Sequence, residues 1–250
     1  EPEPHERLSR PSARLAPGTA LRIAVLADLQ TDELGPFEAR VFAALDEVQA
    51  DLVLVPGDLL QFGFDGSESG LRARELRELA ALFDGLEHRP RLGFLMVDGD
   101  CEPVGTSFPE AGLRLLEDKA VVFPAERLQV IGLTRASSRR ALSPELAAAA
   151  RAFDGFTLVL GHAPEFALTV QELGVPLLCV AGHTHGGQVV VPFFGPPFTL
   201  STIPRAMAAG GLFALGDSWL SVSRGIGMER GHAPRIRFLC RPELAVLELR

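Results

Sequence analysis

Three consecutive stretches decide how this chain folds: LRIAVLAD (21–28), PFEARVFAALDEVQA (36–50) and LVLVPGD (52–58). The first and third are short apolar runs with β-branched residues, each ending at an aspartate, which is how a strand buried on both faces reads. In the second, Pro36 opens a segment whose Val41, Phe42, Leu45 and Val48 recur at helical spacing. A strand, a helix and a strand in this order predict a parallel βαβ unit. Downstream, the polar loop QFGFDGSESG (61–70) leads into a second helix over about 71–86, and LGFLMVDGD (92–100) is a third apolar run that again ends at Gly-Asp.

The second half changes character. AVVF (120–123), LQVIGL (128–133), TLVLGH (157–162), PLLCVAGH (176–183) and QVVVP (188–192) follow one another with mostly shorter links, and SWLSVSR (218–224) and ELAVLEL (243–249) close the chain. Strands this numerous predict two packed mixed sheets flanked by helices, a four-layer α/β/β/α sandwich, and not one doubly wound sheet. Residues 20–250 form the expected domain. Residues 1–19, polar and rich in Pro and Arg, read as a flexible lead-in without a signal-peptide pattern.

Bulk composition narrows the function. The 250 residues are 47% hydrophobic and 22% charged, ordinary globular values, and the formal charge of −8 argues against a nucleic-acid partner. Cys101, Cys179 and Cys240 are too few and too scattered for a disulfide framework or a CxxC zinc site, which leans toward a reducing compartment. Leu173–Pro204 contains no Asp, Glu, Lys or Arg, yet GHTHGG and five prolines within it exclude a membrane-spanning helix.

Polar residues collect where the strands end. Asp28 and Gln30 follow the first, Asp58 the second, Asp100 and Cys101 the third, His162 follows TLVLG, and His183 and His185 follow LLCVAG. One aspartate after a strand is most simply a turn or cap residue, and one histidine a structural one. Five strand ends carrying such residues point instead to a ligand crevice at the carboxyl ends of the sheet. His183 and His185 are two apart and flanked by glycines, a spacing that turns both imidazoles the same way.

These motifs resemble the calcineurin-like metallophosphoesterases. DLQ (28–30), GD (57–58), GDCE (99–102), GH (161–162) and GHTH (182–185) stand in the order of that family's D-x-H, G-D, G-N-H-[DE], His and G-H-x-H blocks. GHTHGGQ, SRGIG (223–227) and RIRFLCRPELAVLEL (235–249) are similar to its bacterial branch of phospholipid and UDP-diacylglucosamine phosphodiesterases. The resemblance implies a metallo-dependent phosphatase-like fold and two divalent metal ions, with manganese favoured and iron, zinc or magnesium as alternatives. Asp28, Gln30, Asp58 and His185 would hold one ion, and Asp58, Asp100, His162 and His183 the other. Such a pair, about 3.5–4 Å apart, acidifies a shared water and clamps a phosphate. The implied reaction is hydrolysis of a phosphodiester or pyrophosphate bond by a metal-bridging hydroxide. The substrate would be a small phosphorylated or lipid-linked molecule, or a nucleotide-linked one, and the location bacterial cytoplasmic or membrane-associated, with peripheral membrane contact.

The chain departs from that pattern at three positions. Gln30 replaces a histidine and favours harder cations. Asp100 replaces an asparagine and adds a negative charge. Cys101 replaces the histidine that donates a proton to the leaving group, a poorer acid in that role. This last change supports an alternative reading, a catalytically impaired scaffold that binds a phosphorylated ligand or a protein. Arg224 and Arg237 are either substrate-phosphate contacts or packing residues. The repeated GHAP at 231–234 places His232 after MERG and not after a strand, so it is left out of the ligand set. GSESG (66–70) has Glu68 where a hydrolase elbow needs serine.

Overall fold

The computed structural model describes residues 14–61, 69–102, 108–229 and 234–250. The strands are β1 (Leu21–Val25), β2 (Leu52–Val55), β3 (Phe94–Met96), β4 (Leu113–Leu115), β5 (Lys119–Phe123), β6 (Leu128–Gly132), β7 (Phe156–Leu160), β8 (Leu177–Ala181), β9 (Gly211–Leu215), β10 (Ser218–Val222) and β11 (Ala245–Leu249). They form two sheets, ordered β11-β1-β2-β3-β4 and β5-β6-β7-β8-β10-β9. The pairs from β1 through β4 are parallel, with β11 antiparallel on the β1 edge. In the second sheet β6, β7, β8 and β10 are parallel, while β5 and β9 are antiparallel edges.

Alternation along the strands makes the layers. Ile23 and Val25 face an interior shared with Val130, Leu158 and Val180 of the other sheet, whereas Ala24 and Val53 face Val41, Phe42 and Phe83 from the helices α1 (Pro36–Val48) and α2 (Ser69–Asp84). On the far side, Ile131, Val159 and Cys179 pack with Leu146 and Ala150. These last two belong to α4 (Pro144–Ala152), which follows the one-turn α3 (Arg135–Ser138). The result is the four-layer α/β/β/α sandwich, a sheet alternating its side chains to cover two apolar layers. Leu15, in the expected lead-in, is buried between the sheets, and Ala16 N–H donates to the Glu126 carbonyl at 3.1 Å; residues 1–13 lie outside the described residues.

Several local expectations change. QVVVP (188–192) is not a strand: it makes single bridges, Val189 to Phe238 and Val191 to Gly195, because Gln188 adopts φ 56° and Pro192 cannot donate to a ladder. β4 and β9 escape the apolar-run criterion, being three residues long in one case and a partly exposed edge in the other. β9 does carry a signal, since Gly216-Asp217 is a two-residue hairpin turn with Gly216 at φ +63°. The second helix begins at Ser69, and residues 62–68 of the loop before it lie outside the described residues.

Candidate metal centre

The parallel strands of both sheets bring their carboxyl ends to one side, and the chain is stitched there by backbone bonds. Asp28 N–H donates to Gly57 carbonyl at 3.2 Å, Gly182 N–H to His162 carbonyl at 3.0 Å, and Gly227 N–H to Asp28 carbonyl at 2.7 Å. The third of these ties the segment after β10 to the end of β1, so both sheets share one rim. Five of the seven expected ligands sit in the left-handed region: Asp28 (φ 49°), Gln30 (38°), Asp58 (54°), His183 (69°) and His185 (50°). Left-handed backbone in non-glycine residues is costly and clusters where a site requires it. Gly57, at φ +98°, and Gly99 are glycines for a further reason: a Cβ on the first would strike the Gly99 backbone, and one on the second the Asp58 carboxylate.

Two groups of potential ligand atoms assemble, each mutually within 4.8 Å: Asp28, Asp58 and His185, and Asp100, His162 and His183. They touch through His162 Nε2 and Asp58 Oδ2, 3.4 Å apart. Asp28, Gln30, Asp58, His162, His183 and His185 are all buried. Gln30 is held by its amide nitrogen, which donates to Gln61 Oε1 (2.8 Å), Cys101 Sγ (3.0 Å) and Glu229 Oε2 (3.2 Å), leaving its own Oε1 buried with no partner.

The imidazoles are oriented from behind. His162 Nδ1 lies 2.8 Å from the Pro56 carbonyl and His183 Nε2 lies 3.0 Å from the Leu200 carbonyl, so each of those nitrogens carries the hydrogen. The opposite nitrogens then present lone pairs to each other across 3.2 Å, with Asp100 Oδ2 at 3.1 Å from His183 Nδ1 and 3.7 Å from His162 Nε2. Lone pairs and carboxylates do not converge in a buried site without a cation or a proton among them. In the metal-free protein a proton takes that place: burial would lower the His162 pKa, but Asp58, Asp100 and Asp28 outweigh it and raise it to about 10. Burial, the Asp58 charge adding to it, raises Asp28 to about 6, and burial, then Arg237, pushes His185 well below its ordinary value. The unpartnered Gln30 oxygen and this crowd of acceptors fit a pair of divalent cations.

Several contributors lie outside the expected ligand set. Glu102, buried, gathers backbone N–H groups from both strand ends: Asp58 (2.9 Å) and Gly99 (3.0 Å) to Oε2, and Leu59 to Oε1. Burial and the Asp58 charge raise its pKa to about 8. Arg139 places a guanidinium nitrogen 2.5 Å from Asp100 Oδ2, with Arg135 3.9 Å from Oδ1, so the extra charge of Asp100 is partly neutralised. The neighbouring His162 and His183 outweigh burial and hold the Asp100 carboxyl far below the usual range. Cys101 donates its backbone N–H to Asp58 Oδ1 at 2.8 Å, while burial, then Asp58, Glu229 and Glu102, push its thiol far up. The packing alternative holds for the two other arginines. Arg237 donates to the Gly227 (2.8 Å), Arg224 (2.9 Å), Gly225 (3.1 Å) and His185 (3.3 Å) carbonyls, and Arg224 pairs with Glu243 at 2.9 Å. His232 lies outside the described residues.

Paired sheets with Asp and His groups on a shared rim accord with what the chain is similar to, the metallophosphoesterases. Among its relatives is the metallophosphoesterase YkuE of Bacillus subtilis strain 168, 38% identical over 96 residues, a match covering 38% of this chain and 31% of that protein's length. Phosphodiesterase YaeI of Escherichia coli K12 is 28% identical over 242 residues, covering 91% of this chain and 82% of YaeI. No protein-family model matches the chain. Two solved structures share the fold: a dimetal phosphatase from Danio rerio (TM-score 0.55, 11% identity, 82% of this chain and 87% of that one) and TT1561 of Thermus thermophilus (0.51, 13%, 83% and 90%).

Proposed function

We propose that the protein hydrolyses a phosphodiester or pyrophosphate bond using two divalent cations. Asp28, Gln30, Asp58 and His185 would hold one and Asp58, Asp100, His162 and His183 the other, with manganese favoured by the oxygen-rich donor set and iron, zinc or magnesium as alternatives. The single observation that carries the reading is the contact of the two ligand groups through Asp58 and His162 at 3.4 Å. When bound, the cations supply Lewis-acid stabilisation of phosphoryl charge and an acidified attacking water.

The chain's own residues do the rest. The Pro56 and Leu200 carbonyls fix the imidazole tautomers, and Glu102 holds the two carboxylate-bearing turns together. Arg135 and Arg139, both partly exposed beside Asp100, present positive charge where phosphoryl oxygens arrive. Cys101 occupies the expected proton donor's position, and a thiol kept neutral by burial and surrounding carboxylates donates poorly, so substrates with good leaving groups are preferred. A diester is supported by the kinship to YaeI and by a cavity of about 280 Å³ beside His185, lined in part by Pro197, Phe198 and Leu200, which has room for an apolar or lipid-linked second substituent.

The test is metal content after purification, followed by turnover of bis-p-nitrophenyl phosphate with added Mn²⁺. Bound metal near two ions per chain with turnover supports the reading. Stoichiometric metal with no turnover on any diester favours the second reading, a metal-loaded binding protein, for which Cys101 is the supporting observation.

A further inference from the structure

On one side of the metal centre the surface carries a group of exposed apolar side chains. In the loop from Val191 to Leu200, Phe193 is 112%, Phe198 79% and Phe194 59% exposed, with Val191 and Leu200 exposed as well. Ile236, Phe238 and Leu239 of a second exposed segment adjoin them, since Val189 bridges to Phe238 and Val190 N–H donates to the Phe238 carbonyl at 2.9 Å. The Phe193 tip is held in shape: Val191 N–H donates to Gly195 carbonyl at 3.0 Å, Gly195 N–H returns to Val191 carbonyl at 2.9 Å, and Phe193 itself takes φ 64°. A built turn that holds aromatic rings in water is the mark of an interaction site.

Two further observations say what covers it. The two segments that form the projection carry no acidic residue of their own (173–204 and 234–241) although the whole chain carries −8, whereas Arg205, Arg235 and Arg241 are exposed within or next to them. Arg235 lies 3.6 Å from Asp32, and Glu165 reaches in only at Ser201 and Thr202. Arg205 lies over the Phe194 ring, 4.5 Å from its centre, with its guanidinium at the projection's flank. The same loop runs into the site, because Phe198 and Leu200 line the cavity beside His185 and the Leu200 carbonyl orients His183. An apolar tip flanked by Arg205 and adjoining a segment that bears Arg235 and Arg241, next to the candidate metal centre, matches the boundary between anionic headgroups and acyl chains.

We infer that this face docks on an anionic lipid bilayer, with Phe193 and Phe194 entering the headgroup–acyl boundary and Arg205, Arg235 and Arg241 meeting the phosphates. The docking inference stands on surface chemistry alone; its use in feeding a headgroup phosphoester to the metals rests on the proposed function. The test is co-flotation of the metal-loaded protein with vesicles of phosphatidylcholine alone and of equal parts phosphatidylcholine and phosphatidylglycerol. Binding is expected to the second only, to weaken with salt, and to fall about tenfold or more in Phe193→Ser/Phe194→Ser. Leu239→Ser gives a second, independent reduction, while bis-p-nitrophenyl phosphate turnover stays at the wild-type value in both variants. No binding by the wild type, binding indifferent to these substitutions, or a dimer in sedimentation velocity that the double variant dissolves would each overturn the inference, the last by making a second copy the occupant. Absence of turnover in the wild type, with vesicle binding intact, sinks the hydrolase reading and leaves the docking surface standing.

Discussion

Asp100 and Arg139 show how single residues retune a shared scaffold. An aspartate beside two imidazoles would make the rim strongly negative, and the guanidinium 2.5 Å away offsets that charge while keeping donors on the open side. Arg139→Ala is therefore expected to raise KM for a diester about tenfold, the worth of one charged hydrogen bond, with a smaller change in kcat. Cys101 gives the complementary case. Cys101→His restores a group that can protonate a leaving alkoxide, so turnover of a phenyl or alkyl ester should rise about ten- to a hundredfold, against little change for a nitrophenyl ester that needs no such help. Equal gains on both substrates would show that the thiol was not limiting. These two positions were readable as departures from the family pattern, but their compensation was not, because Arg139 is 39 residues from the carboxylate it meets.

At the level of elements, the site is a property of strand ends. β1, β2, β3, β7 and β8 were legible because a buried parallel strand is a short apolar run with a sharp stop. The turns after them were legible as Gly-Asp and Gly-His pairs; Glu102 was legible as the last residue of GDCE, but its clamp between two of those turns was not. Glu102 collects amides from the β2 and β3 turns, and its replacement by glutamine puts an NH₂ group against backbone N–H donors. Glu102→Gln should lower the melting temperature by about 5–10 °C, corresponding to about 2–3 kcal/mol of unsatisfied buried donors, with metal content falling in parallel. An unchanged melting curve would remove Glu102 from the positioning of Asp58. QVVVP failed as a strand for the converse reason: its composition is right, but Pro192 and the positive φ of Gln188 deny it a ladder.

Over the whole molecule, charge is linked to metal loading. The metal-free His162, with a pKa of about 10, carries a proton at pH 7 that must leave before its nitrogen can ligate, whereas Asp28, at about 6, is already mostly ionised. Titration calorimetry at pH 7 in buffers of different ionisation enthalpy should therefore find about one proton released on filling the site. Affinity should fall as pH drops from 10 and fall more steeply below about 6, where Asp28 also takes a proton. Because the folded pKa of His162 lies above its ordinary 6.5, the stability it lends the metal-free protein is full below 6.5 and lost as pH rises through about 10. Chelation should accordingly lower the melting temperature most at alkaline pH, where neither ion nor proton remains between the imidazoles; a pH-independent effect of chelator would contradict this electrostatic account.

By itself the sequence determined the strand and helix alternation, the presence of two sheets, and the side chains available at their ends, since periodicity, turn chemistry and residue type are all written within a few positions of one another. Only the tertiary structure decided who faces whom. His162 meets the Pro56 carbonyl across 106 residues and His183 meets Asp28 across 155, contacts made by two sheets folding together and leaving no trace in either local segment. It also decided that the Phe193 loop, apolar enough to read as part of the interior, stands outside it, because burial is settled by where the layers close and not by the composition of the loop that crosses their rim.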